Sequence, residues 1–178
     1  MNWMVLPYKR YAEFSGRSRR KEYWMFLLFT ILVNIGLTVV QTALGLSVDG
    51  GGVGAIAAVT GVGLLSLLFW LASLIPSLAV AVRRLHDTDR SGWWLLAPIA
   101  PYVLGIVTAI AGMVGAAGGA TGAVGAGVGL SVILIGVGVL LGLVLLVFLC
   151  IEGTRGANRF GPDPKRPEGA ADLQEVFR

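Results

Sequence analysis

The chain has 178 residues, an ordinary length for one domain, but 56% are hydrophobic and only 13% charged, against about 25% charged in an average soluble domain. Its net charge of +4 points to an acidic partner, either nucleic acid or an anionic membrane surface. The placement of charge excludes a soluble fold: no charged residue lies between Arg90 and Glu152, and only Asp49 lies between Glu22 and Arg83, whereas a bilayer requires about 20 apolar residues per crossing.

The expected fold is all-α, an integral membrane bundle of four transmembrane helices. Residues 1–22 read as a cytoplasmic or interfacial lead-in, 23–152 as the transmembrane domain and 153–178 as a cytoplasmic tail. In the lead-in, Trp3, Leu6, Tyr11 and Phe14 are placed to share one face of a short interfacial helix that Pro7 either interrupts or starts. It does not read as a signal peptide, because its basic cluster follows Trp3, Met4, Val5 and Leu6 instead of preceding an apolar run.

The first span is expected over 23–44, ending in a short glycine-rich loop. A second apolar run covers 53–82, and its thirty residues would reach about 45 Å against a core of ~30 Å. It must tilt, kink or protrude. Pro76 is the natural kink, and the turns through Arg83 and Arg84 are expected to emerge among the headgroups. Ser91 is a candidate N-cap for a third span over 93–114, bent by Pro98 and Pro101. The stretch GAAGGATGAVGAGVG reads as a second loop, before a fourth span over 130–151. Leu173, Val176 and Phe177 suggest a short apolar-faced helix at the end of the tail.

Basic residues orient the chain. The lead-in holds six, the middle loop three and the tail five, which accounts for all 14 Lys and Arg residues and leaves none for the two glycine-rich loops. Both termini and the middle loop are therefore expected in the cytoplasm. Trp3, Trp24, Trp93 and Trp94 fall at the same interface, where indole rings anchor membrane proteins.

The densest local chemistry is PSLAVAVRRLHDTDRSGWW, residues 76–94. If the second helix continues through it, Arg83 and Asp87 are four apart and can pair. Guanidinium forks suit phosphate oxygens, so Arg83 and Arg84 are candidates for a headgroup clamp, with His86 and Asp87 as acid/base candidates. The plainer reading is a positive anchor with a locally paired loop, and it is favoured. No metal site is expected, since His86 is the only histidine, and the lone Cys150 allows neither a disulfide nor a multi-cysteine site. In the first span Thr30, Asn34, Thr38 and Gln41, with Thr42, form a polar stripe, and Ser66, Ser73 and Ser77 make a weaker counterpart. Hydrogen bonding between helices is preferred there to a substrate pathway, as no ionisable residue lies mid-membrane to relay ions. Among the glycine pairs, Gly138 and Gly142 are the best candidates for close helix packing.

Three segments taken together, YAEFSGRSRRKEYW (11–24), PSLAVAVRRLHDTDRSGWW (76–94) and GANRFGPDP (156–164), resemble the domain of unknown function 805 family of small bacterial inner membrane proteins. The resemblance implies the inner membrane and supplies no catalytic residues and no cofactor. All three segments fall on the expected cytoplasmic side. They can form one polar cap from Arg17, Arg19, Arg20, Arg83, Arg84, His86, Asp87 and Arg159, with Glu13, Glu22, Asp87 and Glu152 available to neutralise arginines. Such a cap acts either as a structural lock or as an anion site. The leading expectation is a non-enzymatic membrane protein whose cap binds anionic lipid headgroups or a protein partner. Basic residues 17–21 lie next to a bilayer, where anionic lipid already accounts for them, so nucleic acid is not expected. The alternatives are a transporter or channel subunit acting as a homo-oligomer, and an interfacial enzyme using His86 and Asp87.

Overall fold

The computed structural model describes residues 3–44, 63–119 and 121–165. Its elements are a short helix α1 (Leu6–Lys9), α2 (Arg20–Ala43), α3 (Leu64–Asp87), a 3-10 turn (Gly92–Leu95) that runs into α4 (Leu96–Ala117), and α5 (Thr121–Cys150). Among the described residues there are four helices long and apolar enough to cross a membrane: α2, α3, the Gly92–Ala117 unit and the stretch Val124–Cys150 of α5. The same residues contain no strand, only an isolated bridge between Asn158 and Gly161. The first glycine-rich loop, the beginning of the second span (53–62) and the terminal helix around Leu173, Val176 and Phe177 lie outside the described residues.

The lead-in helix starts at Leu6, with Pro7 in its first turn, and is not interrupted by it. Proline sits in the first turn, where its missing N–H costs nothing. The helix has only four residues, and Tyr8 makes the lead-in's inward contacts. Its hydroxyl lies 2.5 Å from Ser73 Oγ, and its ring meets Phe26 and Phe29 edge-on at 5.3 and 6.1 Å. Tyr11 donates to the Ala72 carbonyl at 2.8 Å. The lead-in is thus laid along α2 and α3, with Tyr11 and Phe14 still exposed.

Helix α3 accommodates Pro76 and continues beyond Val82 to Asp87. It closes in a left-handed turn: Asp89 has φ 57°, Arg90 N donates to Leu85 O and Asp89 N to His86 O, both at 3.0 Å. Ser91 precedes the 3-10 turn but its side chain caps nothing. Pro101 lies inside α4, which runs unbroken through it.

The largest departure from expectation is α5, which begins at Thr121 and not near residue 130. The supposed second loop is largely helical. In hydrocarbon the backbone must satisfy its own hydrogen bonds, so glycines that would fray in water stay helical. They also let two helices approach. A Cβ on Gly127 would lie 2.7 Å from the Gly112 Cα and 2.8 Å from the Thr108 carbonyl, so α4 and α5 are in backbone contact there. Of the favoured pair, Gly138 packs under the Tyr102 ring, where a Cβ would meet ring carbons at 3.2 Å, but Gly142 faces open space. The close contact therefore sits nearer the start of α5.

Among the described residues α2 packs on α3 and α4 packs extensively on α5, while α3 meets the 3-10 turn and α5. This geometry distinguishes the glycines by substitution. Gly127→Ala is expected to lower stability in detergent by about 1–3 kcal/mol, as overpacking does. Gly142→Ala, with nothing near its Cβ, is expected to be neutral or slightly stabilising. Thermal unfolding of the two variants against wild type checks both.

Candidate functional site

The last turn of α3 carries Arg83, Arg84, His86 and Asp87, and helical spacing puts Asp87 within reach of either arginine. Arg83 and Arg84 are fully buried and Asp87 nearly so. Arg84 Nη1 reaches Asp87 Oδ2 at 2.5 Å. Arg17, brought in from the lead-in, donates through Nε to Asp87 Oδ1 at 3.0 Å, with Nη2 2.9 Å from the same oxygen. The expected Arg83–Asp87 pair does not form. Arg83 instead faces α2, with Nη2 3.2 Å from Glu22 Oε1, while Glu22 is itself buried. This contact lacks hydrogen-bond geometry, and among the described residues no Arg83 guanidinium nitrogen makes a hydrogen bond. Ser18 N donates to the Arg83 carbonyl at 3.0 Å, which ties the lead-in to the same turn.

The end of α5 supplies the remaining acceptors. The last carbonyls of a helix have no partners within it and carry its negative dipole end. Arg84 Nε donates to Leu149 O at 3.2 Å and Arg84 Nη2 donates to Ile151 O. Arg20 reaches Cys150 O at 3.4 Å. Arg84 thus caps α5 from α3, and three buried guanidiniums against two buried carboxylates are helped by that dipole. Beyond α5 the chain folds back over the turn. Arg17 Nη1 donates to Gly156 O and Nη2 to Thr154 O, both at 2.6 Å. Thr154 N donates to Asp87 O at 2.8 Å. A Cβ at Gly153 would collide with the Asp87 carboxylate, so only glycine lets the strap pass.

His86 lies half-buried outside this knot. Its ring stacks on Phe160 with centroids 3.9 Å apart, and Nδ1 is 3.2 Å from the Gly16 carbonyl. Asn158 Nδ2 donates to the His86 carbonyl at 2.8 Å. Phe160 and Thr154, neither singled out by sequence, are thereby part of the site; the motif GANRFGPDP was the only signal that could have flagged Phe160. The rim is wetter. Arg19 donates to the Pro164 carbonyl, and its Nε does so at 2.6 Å. Arg159 pairs with Asp89 at 3.1 Å, and Glu152 pairs with Lys165 and lies 3.9 Å from Arg20. Lys165 holds Glu152 below the usual carboxylate range by donating to it, and the Lys165 backbone N–H does the same for Asp163. Lys9, Lys21 and Arg155 are exposed, and none has a hydrogen-bond or ion-pair partner for its side chain among the described residues.

The polar stripe stays apart from this end. Thr30, Asn34 and Thr38 bond back to Leu27, Thr30 and Asn34 carbonyls of their own helix at 2.8–3.0 Å. Gln41 joins two helices. Its Oε1 accepts from Leu65 N at 2.8 Å and its Nε2 donates to Ser66 Oγ at 2.8 Å, so it caps the start of α3. The knot gives a direct prediction. Asp87→Asn removes the countercharge shared by two buried guanidiniums, and is expected to cost about 3–5 kcal/mol of stability, measured by denaturation in detergent.

With this geometry in place, comparison with known proteins is informative. The family model described as "Protein of unknown function (DUF805)" matches residues 11–162, which include every residue of the knot and its strap. Inner membrane protein YhaI of Escherichia coli (strain K12) is 38% identical over 165 residues, covering 93% of this chain and 97% of that protein. Inner membrane protein YhaH of the same strain is 34% identical over 165 residues, covering 93% of this chain and 98% of that one. No solved structure matches. The segments that converge around Asp87 are those on which the resemblance rested, and the chain belongs to the DUF805 family.

Proposed function

We propose that this is a non-enzymatic inner membrane protein, with both termini and the middle loop cytoplasmic, whose charged end recruits anionic phospholipid headgroups through its outer basic residues. The carrying observation is the sorting of the cations at that end. Arg17, Arg83 and Arg84 are buried within the fold, whereas Lys9, Lys21 and Arg155 stand exposed without ion-pair partners among the described residues. Buried arginines cannot reach a headgroup without unfolding the turn. Exposed ones beside a bilayer gain about 1 kcal/mol each from an anionic leaflet.

The enzymatic alternative loses ground by the same reasoning. Both Asp87 oxygens already accept guanidinium donors, and His86 is held by Phe160 and Gly16. A general acid/base pair needs a free lone pair near a substrate. The cytoplasmic assignment is supported by the basic residues, all of which lie outside the two glycine-rich stretches.

Two measurements test the proposal. Cys150 is the lone cysteine and is exposed at the charged end, so a membrane-impermeant maleimide is expected to label it in inverted membrane vesicles and not in intact spheroplasts. Labelling in spheroplasts would reverse the orientation. In nanodiscs of mixed phosphatidylglycerol and phosphatidylethanolamine, the wild type is expected to retain phosphatidylglycerol preferentially on extraction. The Lys21→Gln/Arg155→Gln variant should lose most of that preference, by roughly tenfold or more. Unchanged retention in a folded variant would refute the lipid reading.

A further inference from the structure

Helix α2 is the least covered of the four long helices, with only 6% of its apolar window buried. Its open side carries two neighbouring rows. Thr30, Asn34 and Thr38 form the polar one, and Ile31, Ile35 and Val39 form the apolar one at 47, 57 and 63% exposure. Between the rows runs an open concavity of about 400 Å³ lined by these six residues. Residues spaced by four make a ridge on a helix, and the groove between two such ridges receives the matching ridge of a second helix.

Asn34 indicates what the second helix is. It is the fifteenth of the 24 residues of α2, well inside the apolar span. Its Nδ2 donates to the Thr30 carbonyl at 3.0 Å, and among the described residues its Oδ1 accepts nothing. Hydrocarbon offers a carboxamide no water, so a half-satisfied amide there is costly. An amide is both donor and acceptor, and an identical amide across a two-fold axis completes both at once. Any other partner would have to bring a hydrogen-bond donor of its own to this depth. A second copy of the chain presents one by symmetry.

We propose that two copies of the chain pair through this face of α2, with the Asn34 amides opposed near the dyad and the Ile31, Ile35 and Val39 rows interlocked around them. The contact is separate from the charged end and does not depend on lipid binding there. The Thr30 and Thr38 hydroxyls donate to carbonyls of α2, which lowers the polarity of the groove walls without using up the central amide.

Sedimentation equilibrium of the full chain in micelles, run over a range of protein-to-detergent ratios, tests the proposal. A reversible dimer is expected. Asn34→Leu should raise its dissociation constant about tenfold, while Asn34→Gln, which keeps both donor and acceptor, should raise it less. Oxidative cross-linking in a Cys150→Ser background gives an independent readout in membranes. Ile35→Cys should form a disulfide-linked dimer. Val40→Cys, also exposed at 47% but turned about 140° around the helix from Ile35, should not. A chain that stays monomeric at every ratio, an unchanged constant in Asn34→Leu, or equal cross-linking at both positions would each overturn the proposal.

Discussion

Placing a guanidinium at the edge of a bilayer and then excluding water from it costs several kcal/mol per ion even after the surroundings relax. The charged end of this protein does so for Arg17, Arg83 and Arg84, and its architecture follows from how that cost is met. Asp87 receives Arg17 on one oxygen and Arg84 on the other. Carbonyls left open by the end of α5 and by residues 154–156 accept further donors of Arg84 and Arg17, while Arg83 has the Glu22 carboxylate 3.2 Å away as its countercharge. Each of these acceptors comes from a different part of the chain. None can move away without stranding a buried charge.

This is also why the lead-in and the strap after α5 are ordered although neither has much regular structure. Arg17 and Thr154 are the two fasteners. One reaches from the N-terminal side to Asp87 and the other accepts from Arg17 while donating to the Asp87 backbone. The Arg84–Leu149 bond then links α3 to α5 across the chain. The α2–α3 and α4–α5 pairs are therefore joined at the charged end by polar contacts. Within hydrocarbon, small-residue contacts such as Gly112–Gly127 act inside a pair.

Much of this was legible in the sequence, for physical reasons. Apolar runs of span length and a one-sided basic charge leave little choice of architecture, and the four long helices and the converging charged segments were expected on that basis. Glu22, Asp87 and Glu152 do neutralise arginines or lysines. The pairing within the turn was not legible. Positions i+3 and i+4 share a helix face, so Asp87 could serve Arg84 or Arg83, and the choice is made by Glu22, which lies some sixty residues away in the chain. The helical start of α5 was hidden because glycine signals loops in water, and the solvent here is lipid. The stripe was read as one feature, yet Gln41 caps α3 while Thr30, Asn34 and Thr38 turn back on α2.

The sorting of arginines bears on how function can be carried by such a small domain. A residue that holds the fold cannot also exchange its partner for a ligand, since releasing Asp87 from Arg17 or Arg84 would expose an unpaired charge in a water-poor interior. The motif that best marks the chain, RRLHD, is thus occupied with holding three segments together. Outside the knot stand the exposed Lys9, Lys21 and Arg155 and the little-covered face of α2. A polar centre of this kind ties the segments that carry both surfaces to one framework. For a protein with no large soluble domain among its described residues, that framework is what the proposed lipid and helix contacts would rest on.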